Sequence, residues 1–263
     1  MYPYRPIEGR FKDRVVLITG AGNGIGRSIS LRFAEEGAKC VICDIDEQGL
    51  AETAQMIKGI SGISDCSVLD VEKKDKVENA VKGIVEKYGQ IHVLINCAGV
   101  VQERNCTDIS EDEWKKTMGV NLDGVFYVTQ PVLKNMIEFN YGKIVNISSQ
   151  SGIFGRKNRS AYSASKAGLN GFTRSLALEV AQYGINVNAV CPSRIVSSMT
   201  KKIMKDRANF RGIPYEEIRD AYIRSVPIGR LGLPEDVASI TGYLASDEAS
   251  YITGQLISTS GGR

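Results

Sequence analysis

Apolar residues along this chain fall into two alternating patterns. Short continuous runs rich in β-branched residues, the first being Val15-Val16-Leu17-Ile18, are uniformly apolar, as strands buried on both faces must be. Between them lie longer stretches in which apolar positions recur every three or four residues, the signature of a helix with one buried stripe. Strands are predicted near residues 15–19, 39–43, 66–69, 92–96, 143–148, 186–190 and 255–258. Helices are predicted near 24–37, 46–59, 73–88, 111–138, 161–183, 199–224 and 234–245. This alternation predicts an α/β fold, a doubly wound, seven-stranded parallel sheet with helices on both faces. Ligands of such sheets bind beyond the carboxyl ends of the strands. Gly20, Asp44, Asn96 and Ser149 all fall at predicted strand ends, so residues far apart in the chain converge on one crevice.

The first strand runs directly into Thr19-Gly20-Ala21-Gly22-Asn23-Gly24-Ile25-Gly26 and then into a helical pattern carrying Ile29 and Phe33. Strand, glycine-rich turn and helix start make a phosphate cradle: glycines let the backbone approach a pyrophosphate, and the helix N-terminus presents unpaired N–H groups. Gly20, Asn23, Gly24, Ile25 and Gly26 are the candidate contacts. Asp44 closes the second strand about twenty residues further on, where a carboxylate accepts hydrogen bonds from an adenosine ribose. The same charge repels a 2′-phosphate, and the neighbouring Ile45 offers no compensating cation, so NAD is the expected cofactor. A capping or turn role for Asp44 is the competing reading, because Asp46 and Glu47 follow it.

Length and composition narrow the class. The chain has 263 residues without a linker, charge block or internal repeat, so one domain over 1–263 is expected. A net charge of +3 and the lack of an aromatic-interleaved basic stripe argue against nucleic acid as a partner. No run is long enough to span a membrane and Met1-Tyr2-Pro3-Tyr4-Arg5-Pro6 has no signal-peptide core, so a soluble cytoplasmic protein is expected. The cysteines at 40, 43, 66, 97, 106 and 191 are scattered. Cys40 and Cys43 lie in one predicted strand, where residues three apart point to opposite faces, so no metal site is expected. His92 is the only histidine and sits at a strand entrance with no nucleophile elbow nearby, which reads as structural.

Proton chemistry therefore has to come from elsewhere, and Tyr162 with Lys166 can supply it. Four residues is about one helical turn, so phenol and ammonium share a face. Bringing a tyrosine from a pKa of about 10 to about 7 requires roughly 4 kcal/mol in favour of the phenolate. A unit positive charge about 4 Å away, at an effective dielectric near 20, supplies on the order of that amount.

These motifs, in this order, resemble the short-chain dehydrogenase/reductase family over nearly the whole chain. The glycine run at Thr19 to Gly26, Asn96-Cys97-Ala98-Gly99 with cysteine in place of a second asparagine, Asn121 in Gly119-Val120-Asn121-Leu122, Ser149 in Asn146-Ile147-Ser148-Ser149, and Tyr162-x-x-x-Lys166 carry the likeness. The resemblance implies a Rossmann fold and a catalytic set of Asn121, Ser149, Tyr162 and Lys166. In it Tyr162 transfers the alcohol proton, Lys166 lowers the tyrosine pKa and holds the nicotinamide ribose, Ser149 binds the reacting oxygen, and Asn121 holds a relay water. It also implies cofactor contacts from Asn96, Ala98 and Gly99, from the adenine-holding pair Asp70-Val71, and from Pro192, Ile195 and Ser197. Ser193 departs from the family's glycine, and Arg194 beside it is within reach of cofactor or substrate.

Substrate choice falls to a variable segment, about 194–226, carrying Lys201, Lys202, Lys205, Arg207, Arg211, Arg219 and Arg224, with Arg156, Lys157 and Arg159 before Tyr162. One of these could anchor a phosphate or carboxylate; a solvated basic face accounts for most. A loose likeness to polyol and sugar-alcohol dehydrogenases makes a polyol, sugar alcohol or its phosphate the expected substrate. The alternative is a 3-oxoacyl-thioester reductase, suggested by Pro227-Ile228-Gly229-Arg230 and Ser250-Tyr251-Ile252-Thr253-Gly254. A catalytically idle dinucleotide sensor is the reading from another class. Helices 111–138 and 161–183 look apolar beyond one stripe, at Phe172, Leu176 and Leu178, and the resemblance implies a homotetramer or homodimer.

Overall fold

The computed structural model describes residues 6–263, so the segment Met1 to Arg5, read above as lacking a signal-peptide core, lies outside the described residues. Its strands are β1 (Val15–Thr19), β2 (Lys39–Asp44), β3 (Ile63–Val68), β4 (Val93–Asn96), β5 (Gly142–Ile147), β6 (Ile185–Pro192) and β7 (Leu256–Thr259). They form one sheet in the order β3-β2-β1-β4-β5-β6-β7, every pair parallel. Strand order reverses between β1 and β4, which opens a crevice at the carboxyl ends of those two strands. Ile18 pairs with Ile42 on one side and Ile95 on the other.

The helices in chain order are α1 (Gly24–Glu35), α2 (Glu47–Gly59), α3 (Lys74–Tyr88), α4 (Glu111–Met118), α5 (Gly124–Glu138), α6 (Ser151–Phe154), α7 (Ser160–Val180), α8 (Ser198–Arg211), α9 (Tyr215–Arg224) and α10 (Pro234–Leu244). The pleat divides β1 between two cores. Val16 and Ile18 pack with Ile29 and Phe33 of α1 and Val237 of α10, while Val15 and Leu17 pack with Val81, Val132 and Leu176 of α3, α5 and α7. Cys40 and Cys43 fall into opposite cores, and burial pushes both thiols up to about 12. His92 accepts the Val15 N–H on Nδ1 at 3.1 Å, which ties β4 to β1; burial, then Arg14 and Lys39, hold its pKa below the ordinary value.

The structure departs from the sequence pattern where burial is one-sided or a single residue interrupts a helix. β3 begins at Ile63, ahead of the expected 66, because this edge strand is half solvated; Ile63 and Val68 are each 58% exposed. The helix expected over 111–138 is broken by a π turn at Gly119–Asp123. The helix expected over 199–224 ends at Gly212, φ 63°, and restarts behind Pro214. Of the three apolar positions singled out on helix 161–183, Leu176 is core, Phe172 packs edge-on against exposed Phe126, and Leu178 is 84% exposed. Among the described residues no helix is long and apolar enough to cross a membrane.

Candidate active site

The glycine run folds as its composition requires. Gly20 (φ 69°) turns the chain out of β1, and a Cβ there would lie 2.6 Å from the Ala98 nitrogen. A Cβ on Gly26 would lie 1.9 Å from the Gly20 carbonyl oxygen, so only glycine lets α1 rise this close to the strand end. Thr19 Oγ1 accepts the Cys97 and Ala98 N–H groups at 3.1 and 3.3 Å, which stitches the loop after β4 to the cradle. The first turn of α1 holds no acidic residue and Asn23 does not cap it with its side chain, so its leading N–H groups suit an anion. This cradle fits a dinucleotide pyrophosphate.

Asp44 lines the cleft beside exposed Ile45. Its Oδ2 accepts the Gly22 N–H at 2.8 Å and its Oδ1 the Asp46 N–H at 3.1 Å, which locks the carboxylate between cradle and strand. The bond to the Asp46 N–H makes Asp44 a turn residue, as the competing reading had it, while the capping of α2 belongs to Asp46, which accepts from Gly49. Nearby Arg27 is spent on Gly22 O, Thr53 and Glu52. Asp70 Oδ1 accepts the Glu72 N–H, and Val71 is buried; both line the cleft.

On the far side of the switch point, Ser149 follows β5 and Tyr162 opens α7. Ser149 is near enough to Tyr162 to pull the phenol's pKa down, and its Oγ accepts the Ser151 N–H at 3.1 Å. Lys166, one turn on, donates to the Ile147 carbonyl at 2.9 Å and lies 6.0 Å from the centroid of the Tyr162 ring. The electrostatics differ from the sequence-based expectation. Desolvation is the largest influence on Tyr162 and raises its pKa, while Ser149, Arg159 and Arg156 pull it down; Lys166 is not among those groups. Lys166 is itself lowered to about 8 by burial. Coulomb attraction alone is an incomplete description, because a buried phenolate first loses its water.

Ala98, Gly99, Pro192, Ile195 and Ser197 join the same cleft lining, together with Gly20, Asn23, Gly24, Ile25 and Gly26. Two expected residues stand behind it. Asn96 does not reach the cleft: its side chain lies inside the sheet–helix interface, donating to Asn146 Oδ1 at 2.9 Å and Thr129 Oγ1 at 3.1 Å. Asn121, in the π turn, accepts the Val100 N–H at 2.8 Å and donates to Val100 O and Ser165 Oγ. Both of its amide donors are engaged, so the side chain pins the loop after β4. Thr200 and Tyr222 also line the cleft, and neither stood out in the sequence. Tyr222 reaches it from α9, with no local motif to mark it.

A family model described as short chain dehydrogenase matches residues 14–208. The chain is 41% identical over 253 residues to a 3-oxoacyl-[acyl-carrier-protein] reductase FabG of Thermotoga maritima, covering 96% of this chain and 98% of that protein. Among solved structures, a single-substitution variant of actinorhodin polyketide ketoreductase with NADPH superposes at a TM-score of 0.92 with 35% identity, covering 97% of this chain and 98% of that one. An NAD+-bound xylitol dehydrogenase superposes at 0.91 with 30% identity, covering 96% and 99%.

Proposed function

This chain belongs to the short chain dehydrogenase family, and on that footing we propose that it is an NAD(H)-dependent oxidoreductase interconverting a secondary alcohol and a ketone. The observation that carries the reading is the meeting of Ser149, Tyr162 and Lys166 in one cleft with the glycine cradle and Asp44. The bound nicotinamide supplies the hydride acceptor for oxidation and the donor for reduction. Tyr162 takes the alcohol proton in one direction and returns it in the other. Ser149 aims a hydroxyl dipole at the reacting oxygen, and Lys166 fixes the cofactor's ribose. Asn121 positions the loop after β4, which lines the cleft where the cofactor would bind.

The names of the relatives favour a 3-oxoacyl thioester as the oxidised substrate over the polyol suggested by the looser resemblance. Asp44 keeps a polyol or sugar-alcohol reading as the second choice, because its carboxylate suits NAD and the xylitol dehydrogenase was solved with NAD+. Oxidation of 3-hydroxyacyl thioesters, polyols and polyol phosphates by the purified chain with NAD separates the two; activity on none would leave only a dinucleotide sensor. Exposed Leu178 and Phe126 support a homodimer or homotetramer built on α5 and α7.

For Asp44→Ala, the preference for NADH over NADPH should shrink by about 10-fold or more, the worth of one good polar contact. Steady-state kcat/KM with each cofactor measures it, and an unchanged ratio refutes the assignment. The pH dependence has a definite sign. Desolvation keeps the Tyr162 phenol above its ordinary pKa, so at neutral pH it carries the proton that reduction needs. Reductive rates should hold through neutrality while oxidative rates climb with pH as phenolate forms, read as initial rates between about pH 6 and pH 10. Oxidative rates that decline across that range would remove Tyr162 from the acid–base role.

A further inference from the structure

Of the eleven basic residues just before Tyr162 and in the variable segment, Lys157, Lys201, Lys202, Lys205, Arg211, Arg219 and Arg224 are solvated, whereas Arg156, Arg159 and Arg207 turn inward to join Arg194. Glu103 is the acidic residue among them. It accepts from Arg159 Nε at 2.7 Å and from Arg207 Nε and Nη2 at 2.9 and 2.8 Å, so one carboxylate already holds two guanidinium groups. Among the described residues, Arg156 and Arg194 have no carboxylate within salt-bridge distance. Both line the cleft that holds Tyr162 and Ser149.

Arg194 is held in a way that a solvent-seeking arginine would not be. Its backbone sits in the left-handed region, φ 57°, clamped where its carbonyl accepts the Gly232 N–H at 3.0 Å. Its guanidinium lies over the ring of buried Tyr222, with Cζ 3.7 Å from the centroid. Stacking fixes the plane of the fork while Nε and Nη1, both buried, have no hydrogen-bond partner. Arg156 is anchored from the other side by donating to Ser193 Oγ at 2.8 Å. Desolvation, together with repulsion from Arg263, Arg156 and Arg207, pushes Arg194 down to about 10, and Arg156 is pushed down for the same kinds of reason. The two cations thus crowd one wall of the cleft without a counter-charge. Arg156 also lies close enough to Tyr162 to favour its phenolate, so the same pocket serves the reacting oxygen.

We propose that Arg194 and Arg156 form an oxyanion subsite, and that the substrate is a hydroxy or oxo compound bearing a carboxylate, phosphate or sulfonate near its reacting carbon. This rests on the dehydrogenase reading above and narrows its substrate. A planar, pre-oriented guanidinium with free donors matches the paired oxygens of such a group. A hydroxy acid, a polyol phosphate, or the acyl end of a thioester carrying an acid would each present it.

Matched pairs test the proposal with the intact chain and NAD: 3-hydroxybutyrate against its methyl ester, and a polyol phosphate against the free polyol. The anionic member should have the higher kcat/KM by about 10- to 100-fold. In Arg194→Gln that ratio should collapse, with Arg194→Lys intermediate, while NADH affinity stays within about 3-fold. Neutral members used equally well overturn the subsite and leave the dehydrogenase intact. Loss of NADH binding in parallel with substrate also overturns it, because Arg194 would then serve the cofactor's phosphates. Should no alcohol of either charge react, the enzyme reading fails, and calorimetric titration of the NADH complex with inorganic phosphate still decides the subsite. Binding lost in Arg194→Gln upholds it; no binding, or binding retained in the variant, overturns it.

Discussion

Tyr162→Phe is expected to lower turnover by about 10²- to 10⁴-fold, the range over which a positioned acid–base group contributes. The substitution removes one oxygen and leaves the ring, so packing at the start of α7 is preserved. Ser149 keeps the Ser151 N–H, and Lys166 keeps its bond to the Ile147 carbonyl. The cradle and Asp44 belong to other elements. NADH binding, followed by fluorescence, should therefore persist while kcat in both directions collapses. A variant that retains its turnover would show that the proton moves by another route.

Gly26→Ala should be equally damaging by a different route. The added methyl would sit 1.9 Å from the Gly20 carbonyl oxygen and 2.7 Å from its carbon, and both neighbours are backbone. No rotamer change relieves such a clash, so α1 must rise or the turn after β1 must deform. Either movement spoils the N–H groups that suit a pyrophosphate. NADH affinity is expected to fall by about 100-fold or more, about 2.7 kcal/mol, together with the melting temperature. Gly59→Ala is the control, since a Cβ there meets open space at the end of α2 and should be neutral or mildly stabilising. A Gly26→Ala protein binding NADH like the parent would mean that the turn is not the cradle.

Most of the architecture was legible because parallel strands are buried on both faces and so announce themselves as unbroken apolar runs, as at 15–18. The exceptions follow physical lines. Ile63-Ser64-Asp65 at the sheet edge carries no such run, because water covers one side and Asp65 takes Lys87 and Tyr88. A π turn adds a single residue within an otherwise helical stretch, too little to disturb the apolar period around Asn121. The break at Gly212-Ile213-Pro214 did carry a signal, a left-handed stop followed by a ring that cannot continue a helix.

The lining of the cleft was legible where a motif fixes a backbone shape, as in the glycine run, and where a residue closes a strand facing the crevice, as at Asp44. Asn96 sits at a strand end like Asp44, but the pleat turns it into the sheet beside Leu94's core, a parity that spacing alone does not reveal. The direction of the Tyr162 pKa was hidden because desolvation depends on neighbours contributed by distant segments. Arg194 stood out only as the neighbour of Ser193, where the chain departs from the family's loop; its stacking partner Tyr222 comes from α9 and could not be named in advance.

The buried amides of Asn96 and Asn146 and the hydroxyl of Thr173 form a connected row, each bond 2.9 Å, running from β4 through β5 into α7. A slip of one residue between these strands would swing the amides to the opposite face and strand them in hydrocarbon. Each orphaned group would cost about 1–3 kcal/mol. The row therefore works as an alignment key during assembly, rejecting shifted sheets that an all-aliphatic seam of interchangeable valines and isoleucines would tolerate. Ser149 lies just beyond one tooth of that key and Tyr162 on the helix that carries another, so the proton-transfer pair inherits its spacing from a polar seam no substrate ever touches.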